Sequence, residues 1–375
     1  MLAGALVLVY IYGGYALLLK IIASFHGGQT SPSPCRDEEL PSVTVLITVY
    51  NEKDGIEERI KNVLACAYPA ERLEILVASD GSTDGTDGCV AAMEDARVKL
   101  FRPAVRRGKT DTQNQAVARA VGELLVFTDA ATRFAPLFLR EIVQPFSDQS
   151  VGGVDGHLLF VSDPGIGLSQ SQGRYWRQEL QIRTLESDLG ILAVASGACL
   201  AVRRKLFRPM LQTVGEDCLV PLDVVDQGYR MVHATRAVAY DQMDSDSAKE
   251  FKTRVRMTLR NWQGTWNYPR LLNPLRHPGI AWGLWSHKVL RWLSPFFLLV
   301  WLSGSLRVFL LGDGWATAAI PGMSFIFIAG VAVVAELFAW RVRWLSLVFS
   351  FCLANYGFLV GVIRALLGNK VTVYR

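Results

Sequence analysis

Short apolar runs alternate with amphipathic stretches between Val43 and about Tyr240. The run from Val43 to Val49 is rich in β-branched residues and has the length of a buried strand. Further strands are predicted at 73–78, 98–101 and 124–128, and helices at 56–64, 84–93 and 111–120. Strands that alternate with helices predict parallel crossovers and an α/β sheet covered on both faces.

Both ends of the chain carry long apolar segments. Residues 2–19 contain no charged residue, close to the ~20 residues that a spanning helix needs, and we interpret them as an uncleaved anchor. Three more spans are predicted near 293–311, 315–340 and 345–367. Arg341 and Arg343 predict a cytosolic turn between the last two spans, which puts the α/β domain in the cytosol and the C-terminus outside. Lys370 and Arg375 oppose that last assignment mildly.

Basic and aromatic residues alternate between 249 and 292, a pattern typical of helices that lie in the headgroup layer. The composition is 51% hydrophobic and 19% charged, which is too apolar for an ordinary soluble domain. We interpret the net charge of +5 as attraction to anionic lipid and phosphate, and we expect no nucleic-acid partner. The predicted division is a transmembrane helix at 1–24, a linker at 25–41, a catalytic domain at 42–248, interfacial helices at 249–292, about three transmembrane helices at 293–367 and a tail at 368–375.

Polar residues follow the predicted strands, where ligands bind on open α/β sheets. Tyr50 can stack on a base and Glu52 can accept hydrogen bonds from ribose or base, although an acid at such a turn is common without any ligand. Asp80 follows the second strand and is the stronger candidate for a ligand contact there. Asp129 ends the fourth strand, where a carboxylate is costly unless it is paired or binds a metal. We favour a divalent cation bridging Asp129 to a diphosphate over a structural hydrogen bond.

Three cations precede a predicted helix in the segment from Arg106 to Thr110. Gly108-Lys109-Thr110 is not a P-loop, because Pro103 stands where that motif requires its first glycine. Lys109 still suits a diphosphate at the helix N-terminus, while a plain solvated basic turn is the alternative. Asn114 lies one helical turn further along.

The later part of the domain offers candidates for the acceptor side. Gly197 and Ala198 belong to a small-residue segment that fits beneath an acceptor. Glu216 and Asp217 begin a helix; either one is a candidate base, or both merely complement the helix dipole. Arg254 and Arg256 lie in the basic and aromatic stretch, either as contacts to the diphosphate or as interfacial anchors.

Taken in order, these motifs resemble the family 2 glycosyltransferases of the GT-A fold, in the membrane-integral branch that makes bacterial exopolysaccharides. The resemblance covers roughly residues 40–270. It implies a Rossmann-like mixed sheet that binds a nucleotide-sugar, with the uridine held by Tyr50, Glu52 and Asp80 and the nucleotide by Lys109. It further implies Asp129 as the first acid of a Mg²⁺ or Mn²⁺ motif, and Asp217, with Glu216 beside it, as the base of an inverting transfer.

The chain departs from the family pattern in three places. Ala131 stands where the metal motif has its second acid, and Ser79-Asp80 replaces a pair of acids. The Q-x-x-R-W signature of processive enzymes survives only as Thr253-Arg-Val-Arg256-Met257. A single transfer to a lipid-linked acceptor therefore becomes at least as good an expectation as polymer synthesis.

The predicted function is the transfer of a hexose from a UDP-sugar to a lipid-linked or polysaccharide acceptor, in exopolysaccharide or cell-envelope synthesis. The expected location is the inner (plasma) membrane, with membrane lipids and a polysaccharide-assembly complex as partners. Three alternatives stay open: a processive polysaccharide synthase, a degenerate nucleotide-sugar-binding subunit of an export complex, suggested by Ala131, and a nucleotidyltransferase.

Overall fold

A computed structural model describes residues 1–25, 37–161, 167–242, 246–312, 316–338, 340 and 342–370. Residues 26–36 of the predicted linker lie outside the described residues, as do 313 and 314 of the loop between two predicted spans, Arg341 of the predicted cytosolic turn and residues 371–375 of the tail.

The centre of the molecule is a mixed sheet of eight strands. Their order across the sheet is β3-β2-β1-β4-β7-β6-β8-β5. The first four in that order run parallel to one another, β7 is antiparallel to both of its neighbours, β6 and β8 are parallel, and β5 is antiparallel to β8. The strands are β1 (Val43–Val49), β2 (Leu73–Ser79), β3 (Val98–Phe101), β4 (Leu124–Asp129), β5 (Arg133–Phe134), β6 (Val151–Val161), β7 (Leu200–Arg203) and β8 (Arg230–Gln242). The mixed α/β sheet predicted from the sequence is confirmed.

Helices cover both faces of the sheet, and long apolar helices stand at both ends of the chain. They are α1 (Leu2–Val9), α2 (Tyr15–Phe25), α3 (Lys53–Leu64), α4 (Thr86–Ala91), α5 (Lys109–Val117), α6 (Phe138–Val143), α7 (Gly167–Asp188), α8 (Glu216–Asp226), α9 (Ser247–Thr265), α10 (Pro278–Gly283), α11 (Leu290–Leu311), α12 (Ala316–Leu337) and α13 (Arg343–Leu366). The residues of β1 and β2 are all buried, because apolar side chains pack on both faces of these strands.

Four helices in the described part of the chain are long and apolar enough to cross a membrane: Leu2–Phe25, Pro278–Leu311, Ala316–Leu337 and Arg343–Leu366. The second begins earlier than the span predicted near 293–311. Residues 279–292, which we expected to form an interfacial helix, continue into the next span as one helix with a π-helical segment at Leu284–Val289. Basic residues can be accommodated in this apolar helix because His287 and Arg291 pair with Glu179 of α7. Helix α9 remains separate and packs against α13.

Candidate active site

Three of the predicted site segments follow parallel strands and therefore meet at one edge of the sheet. Val49 pairs with Ser79, and Thr48 pairs with Asp129, so the turns after β1, β2 and β4 are neighbours. Asn51 joins the first two turns: its amide N–H donates to Ser82 Oγ at 3.1 Å, and its Oδ1 accepts from the amide of Thr83 at 2.9 Å. Asn51 has a φ of 57°, a left-handed conformation that asparagine tolerates better than most residues.

Asp80 is buried and braces the loop that carries the predicted phosphate-binding cations. Its Oδ1 accepts from the amides of Arg107 and Gly108 and from Thr112 Oγ1, each at 3.0 Å. Its Oδ2 lies 3.5 Å from Nε of Arg106. Asp80 therefore fixes the start of α5, and only its second oxygen faces a group that a nucleotide could replace.

Tyr50 and Glu52 are exposed at the end of β1. The guanidinium of Arg106 stacks on the Tyr50 ring, 3.5 Å from its centroid, which shows that a planar group fits on this face. Partial burial raises the pKa of Glu52, and the nearby carboxylates of Asp84 and Asp129 add to the rise. The site around β1 is therefore acidic as well as aromatic.

Lys109 connects the sheet edge to α8. Its ammonium lies 2.7 Å from Asp129 Oδ1 and 2.6 Å from Glu216 Oε1. Burial alone would lower the pKa of Lys109, but the charges of Asp129 and Glu216 outweigh burial and raise it. The lysine is therefore a fixed cation held by two carboxylates.

Glu216 and Asp217, adjacent in sequence, are placed in different electrostatic settings. Burial favours the protonated form of Glu216, yet Lys109 lowers the pKa of Glu216 below its usual value. Burial raises the pKa of Asp217, and the anion of Glu216 raises it further. Lys109 therefore favours the anionic form of Glu216, and Asp217 is the better proton acceptor of the two.

Two glycines make room for these acids. A Cβ on Gly197 would lie 2.7 Å from Glu216 Oε1, and a Cβ on Gly215 would lie 2.5 Å from Asp217 Oδ1. Both distances are shorter than atoms tolerate, so any side chain at either position would displace the carboxylate. This close approach gives the small-residue segment at Gly197 a physical reason.

A cavity of about 630 Å³ brings most of the predicted residues together. Those that line it are Lys109, Asp129, Gly197, Ala198, Glu216, Asp217, Arg254 and Arg256. Arg254 is paired within α9 to Glu250 at 2.9 Å. Burial lowers the pKa of Arg256, which the charge of Asp217 offsets only in part.

Four predicted residues do not line this cavity: Tyr50, Glu52 and Asp80 lie at the turns after β1 and β2, and Asn114 faces another part of the chain. The Nδ2 of Asn114 donates to the carbonyl of Met210 at 2.8 Å, and its Oδ1 accepts from the amide of Met210 at 2.8 Å. Both ends of the side chain are used in holding α5 to the segment before α8. The helical register explains this, because Asn114 lies on the side of α5 that faces Met210.

Sequence reasoning missed Asp241, although it lines the same cavity as Asp129. Arg133 pairs with Tyr240 across β5 and β8, which brings Asp241 beside Thr132, next in sequence to Ala131. The Oδ2 of Asp241 is 3.5 Å from Thr132 Oγ1. Burial raises the pKa of Asp241 and the charge of Asp129 contributes to the rise, so the two carboxylates are electrostatic neighbours.

These two carboxylates fit a divalent cation that shares a diphosphate. Mg²⁺ is usually held by one or two carboxylates together with substrate phosphates rather than by a cage of protein ligands. Within the described ranges, no group of three His, Cys, Asp or Glu side chains forms such a cage. The side chain of Asp129 is 40% exposed, which leaves it accessible to an ion. Asp241 could be found from the sequence only by knowing the pairing of β5 with β8.

The cavity wall also contains residues that no sequence motif singled out. Glu179, Arg183 and Trp176 come from α7, Arg260 from α9, and Lys288 and Trp292 from the helix at 278–311. The basic and aromatic pattern at 249–292 contained three of them, but that pattern alone indicated only a membrane surface.

Comparison with known proteins bears on the family and on the fold. Residues 44–211 match the model of the family described as "Glycosyl transferase family 2". An N-acetylglucosaminyltransferase of Mesorhizobium japonicum is 24% identical over 253 residues, which cover 63% of this chain and 59% of that protein. A poly-beta-1,6-N-acetyl-D-glucosamine synthase of Staphylococcus aureus is 32% identical over 124 residues, which cover 32% of this chain and 29% of the synthase. The chain thus spans less than two thirds of the length of either relative.

A solved structure resembles the whole chain. The mannosyltransferase PcManGT of Pyrobaculum calidifontis, in complex with GDP-Man and Mn²⁺, has a TM-score of 0.73 at 22% identity. The match covers 98% of this chain and 99% of that protein, so it includes the helices at both ends. The similarity confirms the expected GT-A fold with appended apolar helices.

Proposed function

Because residues 44–211 match the model of glycosyl transferase family 2, we propose that the protein is an inverting hexosyltransferase of a membrane surface. The observation that carries the proposal is the arrangement of Lys109 between Asp129 and Glu216, with Asp217 beside it in the same cavity. It combines a fixed cation for a leaving diphosphate with a proton acceptor of raised pKa.

The reaction is a single displacement. Asp217 accepts the proton of an acceptor hydroxyl, the hydroxyl oxygen bonds to the anomeric carbon, and the bond from that carbon to the diphosphate oxygen breaks. The bonding electrons leave with the nucleoside diphosphate, whose charge Lys109 stabilises. Attack opposite the leaving group inverts the anomeric centre.

The donor is a UDP-sugar, and N-acetylglucosamine is the sugar that the names of two relatives favour. Tyr50 offers its ring to the base, and Glu52 and Oδ2 of Asp80, which now faces Arg106, offer acceptors for base and ribose donors. Asp129 and Asp241 would hold Mg²⁺ or Mn²⁺, which neutralises charge on the diphosphate when bound. The acceptor is lipid-linked or a glycan, in exopolysaccharide or cell-envelope synthesis.

We place the protein in the plasma membrane with its α/β domain in the cytosol, where nucleotide-sugars are made. Four apolar helices support a membrane location. The positive charge of Arg343 at the start of α13 supports a cytosolic turn there. Accessibility of single cysteines placed at this turn and in β3 to a membrane-impermeant thiol reagent tests the orientation. Labelling from outside intact cells would contradict it.

The test of function is a donor screen with the full-length protein in detergent. UDP- and GDP-sugars are supplied with extracted membrane lipid. The masses of the products in the lipid and polymer fractions are then measured by mass spectrometry. We expect one hexose to be added per acceptor, with release of UDP. Polymer would support a processive synthase, binding without transfer would support a degenerate subunit, and pyrophosphate release from a nucleoside triphosphate would support a nucleotidyltransferase.

A further inference from the structure

The cavity does not end at Asp217 but continues to a wall formed by membrane helices. Leu284, Lys288 and Trp292 line this wall. They are spaced four residues apart, so they share one face of the helix at 278–311. Phe358 of α13 completes the wall. Both helices are long and apolar enough to span a membrane, so this end of the cavity adjoins the membrane part of the protein.

The cavity wall is also cationic along α9. Arg256 and Arg260 both line the cavity, and burial lowers the pKa of each arginine, an effect that the charge of Asp217 offsets only in part. Arg260 donates to Thr110 Oγ1 at 3.1 Å and so lies beside Lys109, whereas Arg256 lies one helical turn earlier on α9. The ammonium of Lys288 lies 3.2 Å from Glu179 Oε1, but Arg183 and Arg291 bind that same carboxylate at 3.2 and 2.6 Å. An additional anion here would relieve the cost of burying these cations.

Lys288 lies on a different element from the lysine that we assign to the donor diphosphate. Lys109 begins α5 at the sheet edge, where Asp129 holds it. An inverting displacement requires the acceptor to approach from the side of the sugar opposite the diphosphate. Lys288 lies in the membrane-helix wall, and its charge acts on Asp217, the base that receives the acceptor proton.

We propose that this part of the cavity binds the phosphate of a long-chain lipid phosphate that carries the acceptor sugar. Lys288 and Arg256 hold the phosphate, the sugar hydroxyl lies at Asp217, and the first part of the lipid chain packs on Trp292 and Phe358. The identification of the acceptor rests on the proposed transferase function, but binding of the lipid can be measured without it. A lysine within an apolar span is expensive, and an anionic ligand gives it a role.

Binding is measured with the full-length protein in nanodiscs of zwitterionic lipid. The probe is radiolabelled phytanyl phosphate, and phytanol, phosphatidic acid and a lipid-free oligosaccharide serve as comparisons. The variant Lys288→Met removes the cation, Lys288→Arg keeps it, and Lys252→Met is the control on an exposed position of α9. A thermal melt of each variant confirms that it is folded.

We expect phytanyl phosphate to bind at least about tenfold more tightly than phytanol, because a charge-assisted contact to phosphate is lost in the alcohol. Lys288→Met should weaken the phosphate lipid about tenfold and leave phytanol unchanged, whereas Lys288→Arg and Lys252→Met should retain wild-type affinity. Equal affinity for phosphate and alcohol, an equal loss in Lys252→Met, or equal binding of phosphatidic acid would overturn the proposal.

Transfer assays separate this inference from the function on which it rests. Phosphate-lipid binding without transfer from any nucleotide-sugar would reject the transferase and keep the lipid site. Transfer to a lipid-free oligosaccharide as efficient as transfer to the lipid-linked sugar would reject the lipid site and keep the transferase.

Discussion

Replacing Asp217 with asparagine tests the assignment of the base. Asn keeps the shape of the side chain but cannot accept the acceptor proton. General-base catalysis contributes about 10²- to 10⁴-fold, so transfer should slow by that factor, equivalent to about 3–5 kcal/mol of activation free energy. Because Lys109 contacts Asp129 and Glu216 rather than Asp217, the affinity for UDP should change little.

The structure also predicts how this substitution affects stability. Burial raises the pKa of Asp217, which means that its charged carboxylate is less favourable in the folded protein than in the unfolded chain. An uncharged Asn therefore should not lower the melting temperature. A large loss of activity without loss of stability would distinguish a chemical role from a structural one.

The assay compares single-turnover transfer from UDP-[¹⁴C]GlcNAc and UDP binding by calorimetry across a pH series. A base must be unprotonated to act, so wild-type transfer should fall as the pH drops through the raised pKa of Asp217. That acidic limb should be absent in Asp217→Asn. Asp226→Asn, on the same helix but outside the cavity, is the matched control, because it loses only a partly exposed pair with Arg208. Turnover of Asp217→Asn within a factor of ten of wild type would refute the assignment.

Three further substitutions probe the neighbouring groups. Lys109→Met removes the cation that pairs with the buried carboxylate of Glu216, so it should lower stability by about 3–5 kcal/mol and weaken UDP binding. Denaturant unfolding measures the stability and calorimetry measures the affinity. Stability equal to wild type would contradict the ion pair. Asp241→Asn should weaken Mn²⁺ binding, read by electron paramagnetic resonance, and adding Ala131→Asp should restore it; unchanged Mn²⁺ affinity would remove Asp241 from the site. Asn114→Ala breaks both hydrogen bonds to the backbone of Met210, so it should lower stability by about 1–3 kcal/mol and leave UDP affinity unchanged. A loss of UDP affinity without a loss of stability would place Asn114 in the site.

Strands β1, β2 and β4 were the most predictable part of the fold, because burial on both faces leaves an almost unbroken apolar run. Strand β1 begins and ends at Val43 and Val49, as the sequence predicts. Helix limits were less predictable. The helix expected from residue 84 begins at Thr86, because Asp84 accepts hydrogen bonds from the amides of Thr86 and Lys53 and so holds the starts of two helices.

In the candidate site, too, some residues could be predicted from local sequence patterns and others could not. Asp80, Lys109 and Asp129 could be proposed from sequence because each follows or precedes a regular element at the ligand-binding edge of the sheet. That Lys109 bridges Asp129 to Glu216 depends on α8 packing over α5, which no local pattern encodes. Asp241 was missed for the same reason, since its place beside Ala131 arises from a strand pairing across more than 100 residues.

A chain of buried polar contacts links the membrane helices to the cavity. Tyr15 Oη donates to Glu186 Oε1 at 2.7 Å, Glu186 lies 3.0 Å from His287 Nδ1, and His287 Nε2 lies 2.9 Å from Glu179 Oε2. Glu179 then contacts Lys288 in the cavity wall. Buried ionic groups are costly when a partner is lost, and sliding the helix at 278–311 by one turn, about 5.4 Å, would separate His287 and Lys288 from these carboxylates. The network therefore fixes the register between the helix at 278–311 and α7, and with it the position of Lys288 in the cavity wall.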